Sequence, residues 1–278
     1  MLQDIENGRL ENEFRNITAT AEDRILCFHQ GQVLLRRNGD DSLVLPTLAQ
    51  MIAGQASEEP RYLFRMQEEN YFLWTGDAPQ IDGFSYEPAR QLRQLTSKDI
   101  CFAVMTGWHL YNWYRVNRLC GCCGTPTEHD SKERMLRCPA CGNMIFPRIS
   151  PAVIVAVTNG ERLLLSKYAG RAYTRYALLA GYTEIGETIE QTVHREVMEE
   201  VGLRVKNLRY YKSQPWGVDG NVLMGFYCDV DGSDAIHIDE NELSMADWYD
   251  RNALPAKDDG ISLTREMIRV FGEGKEPK

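Results

Sequence analysis

The sequence predicts an α/β (α+β) protein in three parts: a strand-rich N-terminal domain, a small metal-bound ribbon and a mixed α/β C-terminal domain. Three observations carry this. Short apolar runs broken by Gly, Asn, Asp and Pro fill the chain to about residue 95. Two Cys-x-x-Cys knuckles follow, and after Pro147 strand-like runs alternate with an amphipathic helical pattern. The expected boundaries are 1–115, 116–148 and 149–272, with 273–278 as a disordered tail.

In the first part, Ile25–Phe28, Val33–Leu35, Tyr62–Phe64 and Tyr71–Trp74 read as strands, and His29 stands alone with no constellation around it. Ser97 caps a helix expected over 98–115, whose Phe102, Trp108 and Trp113 suit core packing or a subunit interface. Cys120, Cys123, Cys138 and Cys141 then supply four thiolates at zinc-ribbon spacing, leaving Cys122 outside. Zinc closed by four sulfurs has no open position, so this Zn²⁺ is structural. Only eight cysteines occur in 278 residues, and five lie between Cys120 and Cys141, which indicates metal in a reducing compartment and not a disulfide scaffold.

The C-terminal part opens with an expected hairpin, Val153–Val157 and Leu163–Leu165 around Asn159-Gly160. Strands are expected at 176–180, 208–211 and 223–227, and a last helix near 262–271. Between them Thr188 and Gln191 form a capping box, and Ile189, Val193, Val197 and Val201 make one apolar stripe. Glu196, Glu199 and Glu200 flank that stripe with no base interleaved among them, an arrangement that repels itself unless a cation sits there. Oxygen ligands of this kind suit Mg²⁺ or Mn²⁺, which accept phosphate oxygens and activate water, so hydrolysis of a phosphoanhydride is the expected chemistry. A net charge of −9 argues against general nucleic-acid coating. No window of 18 or more apolar residues exists and no basic-then-apolar leader opens the chain, so a cytoplasmic protein with no membrane partner is expected.

Gly181, Glu187, Arg195, Glu196, Val197, Glu199, Glu200, Gly202 and Leu203 match the Nudix box, GX5EX7REUXEEXGU, at every fixed position. With a four-cysteine ribbon before it and a strand-rich domain before that, the chain resembles the bacterial NADH pyrophosphatase family of Nudix hydrolases. The resemblance implies an α/β/α sandwich with a mixed sheet, cleavage of NAD(H) to nicotinamide mononucleotide and AMP, removal of NAD caps from RNA, and a homodimer. It implies that the Ala180 carbonyl, Glu196 and Glu200, with Glu199 and an outlying Glu242, hold the catalytic metal, with Glu199 or Glu200 taking the water proton. It places Glu133, Phe146, Tyr182, Gln214, Pro215, Trp216, Thr264 and an N-terminal arginine, Arg93 or, on the repeated local sequence, Arg90, against substrate. Arg195 orients the carboxylates, and Lys132, Arg134 and Arg137 are candidates to hold RNA beyond a cap.

One stretch departs from the family. Where SQPWPFPxS is the pattern, Ser213-Gln214-Pro215-Trp216 is followed by Gly217-Val218-Asp219-Gly220-Asn221, with two prolines and the Phe lost and two glycines and a carboxylate present. The alternatives are therefore a Nudix hydrolase of ADP-ribose or a dinucleoside polyphosphate, or a zinc-ribbon nucleic-acid-binding regulator. The regulator leaves the intact carboxylate helix unexplained.

Overall fold

The computed structural model describes residues 1–5, 8–39, 42–53, 60–89, 92, 97–170, 174–255 and 259–278. Two compact units result: residues 2–148 with 216–220, and Met1 with 149–215 and 221–278.

In the N-terminal unit, β1 (Leu10–Glu11), β2 (Arg24–Leu26), β3 (Phe28–His29), β4 (Gln32–Arg37), β5 (Leu43–Val44), β6 (Arg61–Met66), β7 (Glu69–Leu73) and β8 (Ser85–Pro88) build two small sheets. One has the order β1-β6-β7-β2, and the other is β3-β4-β5 with β8 on β4. The four apolar runs supply the interior, with Ile25, Leu34, Tyr62 and Phe72 packed in one cluster. A short helix α1 (Leu48–Ile52) was not expected, yet Thr47 and Gln50 cap it reciprocally at the S/T-x-x-E/Q spacing. Helix α2 (Lys98–Val116) buries Phe102, Met105, Leu110 and Trp113 as core. The ribbon is a three-stranded meander of β9 (Glu128–His129), β10 (Leu136–Arg137) and β11 (Met144–Ile145).

The C-terminal unit is an α/β/α sandwich. Its strands are β12 (Ser150–Asn159), β13 (Arg162–Tyr168), β14 (Leu179–Tyr182), β15 (Val205–Trp216), β16 (Asn221–Val230) and β17 (Leu243–Asp250). They form one sheet in the order β15-β16-β12-β13-β17, with β14 also on β12. β12 runs parallel to β16 and antiparallel to β13 and β14, so the sheet is mixed. Strand alternation creates the two layers. Val153, Val155 and Val157 face α3 (Ile189–Val201) through Val193, Val197 and Val201. Ile154 and Ala156 face the opposite way, onto Met267 and Phe271 of α4 (Leu263–Gly272).

Three details differ from expectation. The strand expected at 176–180 begins at Leu179 and runs on to Tyr182. Strand β17 was unseen because its apolar residues, Leu243, Met245, Trp248 and Tyr249, do not alternate cleanly. The expected disordered tail is tied down: Arg251 holds Glu276 at 2.7 and 3.1 Å and also bonds the Phe271 carbonyl.

At one end of the sheet Arg209 grips Asp229 with two bonds of 2.8 and 3.0 Å, and Asn207 and Thr158 donate to the same carboxylate. Those hydrogen bonds, Arg209 first, hold Asp229 down from 3.8 to about 2. A depressed carboxylate adds stability that is present above its unfolded value and is lost as pH falls through the folded one. Asp229→Asn is therefore expected to flatten the fall in melting temperature between pH 4 and 2; equal slopes for the two proteins would refute this.

Candidate active site

The site is built where β14 runs into α3. Thr188 ends the connecting loop as the helix cap, its hydroxyl accepting from Gln191 N at 3.2 Å while Gln191 Oε1 accepts from Thr188 N at 2.8 Å. The helix closes at Gly202, in the left-handed region at φ 69°. Because Val193, Val197 and Val201 must face the sheet, Glu196 and Glu200 on the adjoining flank are drawn inward, to 8 % and 1 % exposure. Glu199, one step round, remains exposed.

Gly181 explains itself at this point. A Cβ there would lie 1.9 Å from Glu196 Cδ, so the carboxylate occupies the space that any other side chain would need. Gly181→Ala should push Glu196 out of place, and a displacement of about 1 Å at a reacting centre costs on the order of a hundredfold in rate. Steady-state kinetics would show it, and a rate within twofold of the parent would remove the cradle from the account.

Arg195 is the organiser of the carboxylates. It bonds Glu187 at 2.6 and 3.0 Å, Glu196 at 2.8 Å, Glu199 at 2.9 Å and the Tyr182 carbonyl at 2.9 Å. Glu187 is held down to about 2, first by Arg195 and then by the Glu184 amide, so it is an anion devoted to this arginine. The Gly-x5-Glu-x7-Arg spacing of the box thereby has a mechanical meaning that sequence reading left without a role. Burial drives Glu196 upward, Arg195 opposes this, and Glu199 and Glu242 raise it further. Glu242, on the turn before β17, is thus among the charges that act on Glu196.

The donor set is oxygen only, half of it desolvated and mutually repulsive, which fits a divalent cation such as Mg²⁺ or Mn²⁺. Among the described residues, no three of these glutamates bring ligand oxygens within 4.8 Å of one another. Among the described residues one group does converge that closely: Cys120, Cys123, Cys138 and Cys141. Their sulfurs lie 3.4–3.6 Å apart in the closest pairs, near the ~3.8 Å edge of a tetrahedron with 2.3 Å Zn–S bonds. The Cys122 and Cys123 amides draw the Cys120 thiol down to about 6, toward the thiolate that zinc requires. Cys122 is outside the cluster, as expected.

The substrate candidates divide. In the C-terminal unit Tyr182 is 49 % exposed, and its hydroxyl accepts from Asn221 Nδ2 at 3.2 Å. Asn221 carries no motif that could have signalled this. Pro215 is exposed and Thr264 is half-buried in the first turn of α4. Gln214 is a correction: fully buried, it donates to the Ile261 carbonyl and accepts from Leu263 N, so its amide fixes the start of α4 and has no surface for substrate. In the N-terminal unit Phe146 is 53 % exposed, which rules out its reading as core, and Glu133 is exposed. Lys132 and Arg137 are exposed, whereas Arg134 turns inward and donates to the Leu63 and Asn12 carbonyls, so it is no surface clamp for RNA. Arg93 and Arg90 lie outside the described residues.

The turn 216–220 clusters with the N-terminal unit although its neighbours in sequence belong to the sheet. Asp219 accepts from Trp216 Nε1 at 3.2 Å, which gives the added carboxylate a partner. A Cβ at Gly217 would fall 2.2 Å from the Met105 carbonyl oxygen of α2. Proline cannot occupy that position, so the loss of the family's proline follows from a close backbone approach.

A carboxylate-bearing helix entered from a strand and Gly loop, on a mixed sheet between two helices, defines a Nudix hydrolase domain, and the NUDIX domain model matches residues 148–271. The model of the NADH pyrophosphatase zinc ribbon domain matches residues 115–146. Proteins described as NAD-capped RNA hydrolase NudC are similar over most of the chain. That of Chromobacterium violaceum is 38 % identical over 80 % of this chain and 83 % of its own length. Those of Stutzerimonas stutzeri and Pasteurella multocida are 34 % and 41 % identical, over 86 % and 72 % of this chain and 83 % and 78 % of their own. The chain belongs to the NudC family of zinc-ribbon Nudix hydrolases.

Proposed function

We propose that this chain hydrolyses the pyrophosphate bond of NAD(H), giving nicotinamide mononucleotide and AMP, and that it removes NAD caps from RNA to leave a 5′-monophosphate. The observation that carries the reading is the complete box, with Glu196 and Glu200 drawn inward beside Gly181, in a chain whose ribbon matches that of the NADH pyrophosphatases. Glu196, Glu200, Glu199, Glu242 and the Ala180 carbonyl are the residues that would hold Mg²⁺ or Mn²⁺. Divalent ions held there supply charge neutralisation of the pyrophosphate and activation of water.

The protein's part is to fix those carboxylates through Arg195 and to accept the water proton on Glu199 or Glu200. The water oxygen bonds one phosphorus, the bridging P–O bond breaks, and the bridging oxygen leaves with the other phosphate. In the C-terminal unit Tyr182 offers a half-exposed ring for stacking on a base or nicotinamide, with Pro215 and Thr264 as further proposed substrate contacts, and in the N-terminal unit Phe146, Glu133 and Trp216 are each proposed as substrate contacts in their own right. We place this enzyme, as a homodimer, in the cytoplasm; among the described residues no helix is long and apolar enough to cross a membrane.

The glycine turn at 217–220 favours one second reading, a preference for ADP-ribose or a dinucleoside polyphosphate. Product analysis with NADH, NAD⁺, ADP-ribose, diadenosine polyphosphates and NAD-capped RNA separates the two. Dominant release of nicotinamide mononucleotide from NADH or capped RNA supports the first, and a dominant rate on the other substrates overturns it.

A further inference from the structure

Tyr182 is held at both ends. Its carbonyl accepts from Arg195 Nη2 at 2.9 Å, and the same guanidinium carries Glu187, Glu196 and Glu199. Its hydroxyl accepts from Asn221 Nδ2 at 3.2 Å. The sheet explains how two residues so far apart in the chain meet. β12 lies between β14 and β16, with Ala152 opposite Tyr182 and Ser150 opposite Asn221. Residues paired across strands share a face, and so do residues two apart on one strand, so Tyr182, Ala152 and Asn221 all point the same way. The tyrosine side chain therefore reaches over β12 to the strand beyond it, and Ala152, with only a methyl group, leaves it the space.

Asn221 is an unfavourable residue for this place. It is 7 % exposed, and its Oδ1 is buried with no hydrogen-bond partner among the described residues. A buried amide oxygen without a donor costs stability, so an apolar side chain of similar shape would serve the fold better. What the amide achieves lies at its other atom. Nδ2 fixes a ring that is 49 % exposed and would otherwise turn freely about its two side-chain torsions. A ring already held in its bound attitude loses less freedom when a ligand stacks on it, and the smaller ordering cost appears as affinity.

We propose that Asn221 is a positioning residue for substrate recognition: by holding the Tyr182 hydroxyl across β12 it presets the ring on which a base or nicotinamide stacks. Because the Tyr182 carbonyl rests on Arg195, the ring is set in the same frame as the carboxylates that Arg195 organises. Asn221 itself touches no reacting atom. The inference deepens the function proposed above and rests on Tyr182 being a stacking ring, not on which base-bearing dinucleotide is preferred.

The test is steady-state kinetics of the full zinc-loaded chain in Mn²⁺, on NADH and on ADP-ribose, with Asn221→Leu, Asn221→Ala, Tyr182→Phe and Tyr182→Ala. Asn221→Leu should raise KM about fivefold, the worth of one neutral hydrogen bond, with kcat changed by less than about twofold. Its melting temperature should equal or exceed the parent's, because the unpaired oxygen is gone, whereas a residue that merely supported the strand would lose stability and leave KM alone. Tyr182→Phe removes the other partner and should raise KM to the same extent, and the double variant should be no worse than either single one. If Asn221→Leu is misfolded by circular dichroism, Asn221→Ala takes its place in both comparisons. An unchanged KM in the folded Asn221 variants while Tyr182→Ala raises it, or additive effects of Asn221→Leu and Tyr182→Phe, would overturn the positioning role and leave the stacking ring standing. An unchanged KM in Tyr182→Ala would remove the ring from substrate and the inference with it. The same KM pattern with ADP-ribose turned over faster than NADH would support Asn221 in its role while overturning the substrate proposed above.

Discussion

Glu200→Gln is expected to lower turnover by roughly a thousandfold, because a divalent ion's several kcal/mol of charge stabilisation depends on the carboxylates that hold it. The exchange keeps shape and volume at a side chain 1 % exposed and removes only the charge. Glu200 stands four residues after Glu196, itself buried and driven upward by that burial, so in chelator the neutral variant relieves repulsion between the two. Its melting temperature without divalent ions should equal or exceed the parent's. In Mn²⁺ at a hundred times its dissociation constant the parent should gain about 2.7 kcal/mol, a rise of several degrees, and the variant should gain much less. A near-parental rate would remove Glu200 from the metal set. Lost activity with an undiminished Mn²⁺ shift would move it from ligand to proton acceptor.

The sequence carried the site's chemistry better than its surroundings. Spacing alone put Glu196 and Glu200 beside the valine stripe, because a helix has one period and a buried face leaves its flanks no choice. The four zinc thiolates were equally plain from their knuckles. Gln214 was not, since a motif residue that clamps Ile261 and Leu263 looks the same in sequence as one that touches substrate. Arg134 was misplaced for a related reason: a basic residue that follows the charged Lys132 and Glu133 turns inward because Leu63 and Asn12, far off in the chain, offer carbonyls. Strand β17 escaped because its ladder with β13 is non-local, and pairing partners do not show in a run of eight residues. Gly217 illustrates the limit well. Its departure from the family pattern was legible, but the Met105 carbonyl that forbids a side chain there was not.

Cys138→Ser should cost the protein its zinc and the fold of the ribbon. The three ribbon strands are two residues each, and Met135, Leu136, Cys120 and Cys138 are its buried apolar residues. A segment this small cannot bury enough surface to hold itself, so the metal contributes folding energy outright, about 10–16 kcal/mol in isolated zinc-finger peptides. Cys138 is 1 % exposed with its sulfur 3.4 Å from that of Cys123, so a serine there removes a ligand from the interior of the cluster and leaves a hydroxyl that does not ionise near neutral pH. Metal analysis should show zinc well below one per chain, and the thermal profile should gain an early transition that a zinc chelator reproduces in the parent. Cys122→Ser is the control: exposed and outside the cluster, it should keep both zinc and profile. Full zinc and an unchanged melting temperature in Cys138→Ser would refute a four-thiolate structural site, whereas zinc loss in Cys122→Ser would mean that the knuckle binds through the neighbouring sulfur.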